Sequence, residues 1–324
     1  MADLENITQP VKAQLLHTQS LYDKILSHED DLLGTILAHV RARRGKMMRP
    51  ILVLLSAMEA GDINAVTYDV ALSLELFHNA SLLHDDVVDE SNERRGKKSV
   101  NAQYGNKLAV LVGDYILSLA LKQSVKTRKM HIVNRISELG ILLSEGEINQ
   151  QASIRNEGVS MDDYYRIIKH KTAELFSACG ELGAYSAGAS DDAVATAKRL
   201  GEIIGMCFQI RDDIFDYYHD DAIGKPTGND MLEGKLTLPV IYALNSNADP
   251  KAHANAAKVK GGTATQEDIQ WLIEFAKTNG GIDYAYSVMD DYRTEARQIL
   301  SAYTNVPVRE ALQQYVDFVI DRNK

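Results

Sequence analysis

Apolar positions recur every three or four residues along most of the chain, with no sustained alternation, so the pattern predicts helices throughout and no set of strands. Residues 10 to 40 read as two amphipathic helices broken near Ser27, His28 and Glu29. After RARRGKMMRP, where Gly45 permits a tight turn, Pro50 is placed at the first position of a helix through ILVLLSAMEA that stops at Gly61. A run starting at Leu72, LSLELFHNASLLHDDVVDESNERR, closes in clustered carboxylates and the pair Arg94 and Arg95.

A second helical series follows from about Asn101 to Ile154, and SMDD then reads as a capping box opening one long helix through IIKHKTAELFSACGELGAYSAG. Residues 191 to 216 form another helix, in which Gly201 and Gly205 leave room for a close neighbour. The polar, Ala-rich stretch 245–264 is expected to be the least structured part and a mobile surface. Thr265 caps QEDIQWLIEFAKTN, which stops at Gly280 and Gly281, and two more amphipathic helices complete the chain. Trp271, Phe275 and Phe318 are assigned to the core. No clean linker divides the sequence, so residues 1–324 are expected to form a single all-α domain.

Composition narrows the chemistry. A formal charge of -10 argues against nucleic acid as the main partner, because phosphate backbones are bound through clustered Lys and Arg. Cys179 and Cys207 lie inside apolar helical runs without metal-site spacing, which reads as buried reduced thiols in a cytoplasmic protein. The N-terminus lacks the basic start and apolar core of a signal peptide, and no uninterrupted apolar run is long enough for a transmembrane segment.

Asp-Asp pairs occur at 30, 85, 162, 191, 212, 220 and 290, but only those at 85 and 212 are followed by two apolar residues and a third Asp. The resulting DDVVD and DDIFD both close an apolar run. Asp85 and Asp89 lie four apart, on one helical face with Asp86 beside them; Asp212, Asp213 and Asp216 repeat the arrangement. Two such carboxylate sets repel each other if they meet, unless a hard cation such as Mg²⁺ sits between them and substrate phosphates. Facing sets therefore suggest a multi-metal clamp for a diphosphate. Lys46 and Arg49 before a helix are either solvated surface or diphosphate ligands. Lys171 and Thr172 fall in an apolar face, where a Lys either snorkels or pairs with the second acidic set. The Gly-rich connection after that set carries Lys225 and Lys235.

The ordered motifs GKMMRP, HNASLLHDDVVDESNERRG, HKTAELF, FQIRDDIFD and GKPTGNDMLEGKLTLP resemble the trans-type isoprenyl diphosphate synthases, most closely the bacterial polyprenyl members, from about residue 45 to 240. The resemblance implies an antiparallel all-α helical barrel around a deep central cavity, usually homodimeric, that condenses isopentenyl diphosphate with an allylic diphosphate. It implies three Mg²⁺ ions held with the substrate diphosphate by Asp85, Asp86, Asp89, Asp212, Asp213 and Asp216. It further assigns Arg94 to the allylic diphosphate, and Lys46, Arg49, His78 and Arg95 to isopentenyl diphosphate. Lys171, Thr172 and Gln209 correspond to cation-facing residues, and Lys225 and Lys235 to outer diphosphate lysines. Arg44 stands where the family often has Gly, and Lys98-Ser99 where it often has Pro-Thr, changes that alter loop shape and leave the charged ligands untouched.

Ser81 and Phe77 lie about 6 and 12 Å below Asp85 on the same helical face, with Ala80 adjacent. Short-chain members of the family carry a bulky aromatic near this level, so with small residues at 80 and 81 the resemblance implies a medium- or long-chain product of about six to eight isoprene units (about C30 to C40) from farnesyl or geranylgeranyl diphosphate, with Phe77 either closing the tunnel lower down or packing between helices. A class I terpene cyclase is the nearest rival, but its second metal motif is usually of the Asn/Ser/Glu type. A regulatory subunit of a heteromeric synthase is expected to have lost aspartates, and all six are present. Whether a small regulatory subunit assists as a partner stays open.

Overall fold

The helix that carries the first acidic motif starts where its cap allows. Asn64 accepts the N–H groups of Val66 (2.9 Å) and Thr67, while Thr67 Oγ1 accepts the Asn64 N–H at 3.2 Å, so the helix begins at Ala65, well before Leu72. It is α5 (Ala65–Val88) in the computed structural model, which describes residues 4–155, 160–218 and 227–322. Before it come α1 (Leu4–Thr8), a 3₁₀ turn (Gln9–Val11), α2 (Lys12–Ile25), α3 (Asp31–Arg41) and α4 (Met48–Ala60). α4 starts two residues ahead of Pro50 because Met47, at φ +55°, makes the left-handed turn. Gly45 serves another purpose, since a Cβ there would stand 2.6 Å from the Arg95 guanidinium.

After α5 the chain departs from the all-helical expectation. Glu93–Arg94 and Lys97–Lys98 pair as a short antiparallel hairpin, β1 and β2, with Arg95 and Gly96 both at positive φ in its two-residue turn. Then follow α6 (Val100–Tyr104), α7 (Asn106–Lys126), α8 (Met130–Arg155) and α9 (Met161–Ile168), the last capped by Ser160 Oγ accepting Asp163 N–H at 3.2 Å. The expected long helix is interrupted by a π-turn (Lys169–Ala173) before α10 (Glu174–Ser186), and α11 (Asp191–Phe215) packs along it. α12 (Asn229–Leu232), α13 (Leu238–Ser246), α14 (Pro250–Lys260), α15 (Gln266–Thr278), α16 (Gly281–Ser301) and α17 (Val306–Asp321) complete the described residues. α14 corrects the expectation of a mobile stretch. Asp249 caps it, Pro250 starts it, and Ala252, Ala256 and Val259 bury a narrow stripe that a scan for large apolar residues overlooks.

α5 packs against α4, α7 and α10, and one large core joins these to α11 and α17. A smaller core under α13 to α15 holds Val240, Leu272 and Phe275, with Trp271 stacked on Phe275. Phe318 is only partly buried and lies beneath Lys46, 5.1 Å away. Cys179 and Cys207 are buried and unpaired, their thiols pushed up to about 12 by burial.

Glycines set the closest approaches, as expected for 201 and 205. A Cβ on Gly201 would stand 2.3 Å from the Phe176 carbonyl oxygen, and one on Gly205 would stand 2.5 Å from Ala173 Cα. α7 qualifies the expectation about membrane spans. By length and composition it is long and apolar enough to cross a membrane, although Lys107, Asp114 and Lys122 interrupt it, and 39% of its apolar window is buried. Leu111 and Val125 on α7, and Ile141 and Ile148 on α8, are large apolar side chains left exposed.

Gly201→Ala should lower stability by about 1–3 kcal/mol through overpacking against the α10 backbone, measured as a fall in the urea midpoint with unchanged slope.

Candidate active site

The first acidic set splits between two directions. Asp86 is 1% exposed and accepts Arg94 Nε at 2.6 Å, while its backbone carbonyl accepts Asn101 Nδ2 at 2.9 Å. Asp85 and Asp89 are only partly buried. Burial pushes the Asp85 carboxyl up to about 6; Lys171 opposes the shift, and Glu147 and Asp89 add to it. Lys171, in the π-turn, reaches α8 and donates to Glu147 Oε2 at 2.5 Å and Gln150 Oε1 at 2.6 Å. Its partners are thus on α8, and not the second acidic set. Burial raises the Glu147 carboxyl, but Lys171, with Gln151 and Lys235, more than offsets this and leaves it below its ordinary value.

The second set repeats the division. Asp213 is 4% exposed, with Tyr164 Oη donating to Oδ2 at 2.6 Å and Gln209 Nε2 to Oδ1 at 2.8 Å. Thr172 Oγ1 donates to Gln209 Oε1 at 2.7 Å, which ties the π-turn to the same chain of hydrogen bonds. Asp216 accepts the N–H groups of Asn229 and Asp230 at 2.9 and 3.0 Å and so caps α12. The Asp212 side chain is 42% exposed and meets Arg322 Nη2 at 2.5 Å.

Two lysines share a cavity with Asp213 of the second set. Lys171 and Lys235 line one cavity of about 170 Å³ with Tyr164, Thr172, Gln209, Asp213 and Asp230, and Lys235 Nζ lies 3.7 Å from Asp89. Burial, and then Asp216, push Asp230 up to about 7, while burial and Asp230 hold Asp213 well above the usual carboxylate range. Among the described residues no three acidic, imidazole or thiol side chains are gathered to hold an ion unaided. The donors nevertheless suit Mg²⁺, which takes one or two carboxylates and completes its shell with water and substrate phosphate.

Burial, reinforced by Arg49, Arg95 and Arg94 nearby, holds His78 well below its ordinary pKa, as a neutral imidazole. These four expected diphosphate ligands therefore share one neighbourhood. Arg49 lies 4.6 Å over the Phe176 ring, its Nε without a partner, and Arg95 is held by the Arg43 carbonyl. Lys225 lies outside the described residues. Below Asp85, the residues Phe77, Ala80 and Ser81 line a separate cavity of about 320 Å³.

Asp230, Tyr164, Glu147, Gln150 and Arg322 were not singled out from sequence. Asp230 stands within GNDMLEG and Glu147 and Gln150 are three apart in EGEINQQ, so spacing offered a signal for these. Tyr164 and Arg322 gain their roles only from partners 49 and 110 residues away.

An all-α fold with an acid- and lysine-lined cavity next to both acidic motifs, and a second, largely apolar cavity on the same helix as the first motif, suits the class of helical enzymes that act on isoprenoid diphosphates. The polyprenyl synthetase family matches residues 30–276. A nonaprenyl diphosphate synthase from Mycobacterium tuberculosis is 33% identical over 97% of this chain and 93% of its own. A geranylgeranyl pyrophosphate synthase from Bacteroides thetaiotaomicron shares 45% identity at a TM-score of 0.87, over 98% of this chain and 99% of that one. A polyprenyl synthase from Caulobacter crescentus, solved with calcium and isoprenyl diphosphate, shares 30% identity at a TM-score of 0.92, over 99% and 98%. The chain belongs to the polyprenyl synthetase family and is a prenyltransferase with the all-α isoprenoid synthase fold.

Tyr164→Phe should cost about 1–3 kcal/mol, because the buried Asp213 carboxylate loses a donor. Asp213 titrates higher folded than unfolded, so folding favours its protonated form and its contribution to stability falls as pH rises past the ordinary carboxylate range. Losing the Tyr164 hydroxyl raises that folded value further, so urea unfolding in chelator should show a larger loss at pH 8 than at pH 5.

Proposed function

We propose that the protein elongates farnesyl or geranylgeranyl diphosphate with isopentenyl diphosphate, in a Mg²⁺-dependent reaction, to an all-trans product of about C30 to C40. The observation that supports this reading is one cavity in which Asp213 of the second motif lies with Lys171, whose charge bears on Asp85, and with Lys235, 3.7 Å from Asp89, while a second, largely apolar cavity is lined by Phe77, Ala80 and Ser81 of α5. Asp85, Asp89 and Asp212 keep partly exposed carboxylates and are the residues that would hold the ions. Asp86 and Asp213, each nearly fully buried, fix Arg94 and the Tyr164–Gln209 pair, and Asp216 fixes the loop at α12. Mg²⁺, when bound, supplies Lewis-acid charge to the diphosphate oxygens.

Lys171 and Lys235 stabilise the charge that develops on the departing diphosphate, with Lys225 as an outer contact by its motif. Arg94 holds the allylic diphosphate, and Lys46, Arg49 and Arg95 hold isopentenyl diphosphate beside a neutral His78, which accepts or donates one hydrogen bond without repelling the arginines. By their motif, Thr172 and Gln209, which are hydrogen-bonded to one another, would face the cation-like allylic carbon. The isopentenyl double bond attacks that carbon, and the departing diphosphate takes the proton that is lost.

Small side chains at Ala80 and Ser81 would let the tail descend, and Phe77, which lines the same cavity and is 6% exposed, would be its floor. A C20 product is the second reading, favoured by the name of the 45% identical neighbour. The exposed apolar side chains on α7 and α8 support a homodimer, with a small regulatory subunit as the other occupant. Two unpaired buried thiols suit a reducing, cytoplasmic setting.

Chromatographic sizing of products from purified protein, Mg²⁺, isopentenyl diphosphate and farnesyl diphosphate tests the reading; a chain stopping at C20 overturns the longer assignment. Asp85→Ala and Asp212→Ala should each lower turnover roughly 10²–10³-fold or more, and excess EDTA should abolish it. Phe77→Ala should lengthen the product, and unchanged length removes Phe77 as the floor.

A further inference from the structure

The second acidic motif closes α11, and one face of that helix carries Phe208, Arg211, Asp212 and Phe215, spaced three and four apart. All four engage one residue from the far end of the chain. Arg322, the first residue beyond α17, sets its guanidinium 4.0 Å over the Phe208 ring and 5.5 Å over that of Phe215. Its Nη2 donates to the Phe208 carbonyl at 3.1 Å and to Asp212 Oδ1 at 2.5 Å. Its own carbonyl accepts Arg211 Nε and Nη2 at 2.9 and 2.8 Å, and Arg211 Nη1 donates in turn to the Tyr286 hydroxyl. Backbone and side chain of Arg322 are thus both held against the motif. The other partly open aspartates are treated differently. Lys235 Nζ is 3.7 Å from Asp89, beyond hydrogen-bond reach, and Lys171 acts on Asp85 by charge while donating to Glu147 and Gln150.

A divalent cation on a carboxylate stands about 2 Å from its oxygen. At Asp212 it would meet a positive charge already in hydrogen-bond contact with Oδ1, and two cations on one carboxylate repel each other across a few ångströms. Asp212 also repels Asp213 and Asp230, a cost that a neighbouring cation relieves, whether arginine or metal. We infer that Arg322 is the counter-ion of Asp212 until metal binds and that loading the metal displaces it, so the residue after α17 sets how tightly the second motif holds its ion. This rests on the reading of Asp212 as a metal ligand. Arg322 acts through Asp212 and is therefore a positioning residue.

The test is Arg322→Gln in the full-length protein, titrated with Mn²⁺ in the presence of inorganic diphosphate, with free Mn²⁺ read from its paramagnetic resonance signal. Without the guanidinium, Mn²⁺ should bind about threefold tighter or more, the scale of a partly exposed ion pair. Unchanged or weaker binding overturns the inference. In an Asp212→Ala background the same substitution should leave the remaining Mn²⁺ binding unaltered, and an equal gain there overturns the pairing. Phe208→Leu separates displacement from simple loss of positive charge. It removes the ring on which Arg322 stacks and leaves every charge in place, so Mn²⁺ affinity should rise here too. A rise confined to Arg322→Gln means that the arginine acts through its field alone, which overturns displacement. If Arg322→Gln does not fold, Phe208→Leu decides by the same criterion. A parent that binds no Mn²⁺ with diphosphate refutes the metal assignment and the inference with it, a result distinct from any difference between parent and variants.

Discussion

Carboxylates brought out of water beside one another are the constraint on which this structure depends. Burial raises Asp85, Asp213 and Asp230 above the ordinary carboxylate range, so each is held at a cost and each demands a positive neighbour. Lys171 and Lys235 answer that demand in part, and the remaining negative charge suits a divalent cation and repels a bare anion. Both motifs solve the problem alike. The second aspartate of each is buried and locked by hydrogen bonds, to Arg94 in one and to Tyr164 and Gln209 in the other, while the first stays at least partly open. Three adjacent acids thus become a rigid anchor beside adjustable ligands.

Holding the motifs at the right separation falls to helices that approach almost to backbone contact. Gly180 and Gly201 let α10 and α11 lie against one another, and Gly183 admits the α4 backbone. Between α9 and α10 the π-turn carries Lys171 and Thr172, whose side chains reach Gln150 and Gln209 on two different helices. One irregular turn therefore links the lysine of the first acidic set to the hydrogen-bond chain of the second, a common setting for π-turns at functional sites.

Below this polar layer the same helices become apolar. α5 presents Asp85 at the top and Ser81, Ala80 and Phe77 further down, so acidic set and cavity lining are successive turns of one helix. α7 lines that pocket with Leu117 and Leu121 while turning Leu111 and Val125 outward. Its composition resembles a membrane span because it must satisfy a hydrocarbon-lined cavity on one side and leave an apolar face on the other.

Much of this was legible in the residues alone. Helical periodicity, the twin DDxxD-type motifs and the glycines at 201 and 205 depend on local spacing, which a linear reading preserves. Ala-rich α14 and the Glu93–Lys98 hairpin were not legible, because a narrow Ala stripe and a two-residue strand leave too little periodic signal. Tertiary structure alone decided which aspartates are locked and which stay open, that Lys171 answers to Glu147, and that Arg322 reaches Asp212. Those outcomes depend on distances between residues far apart in the chain, and such distances exist only once the helices have packed.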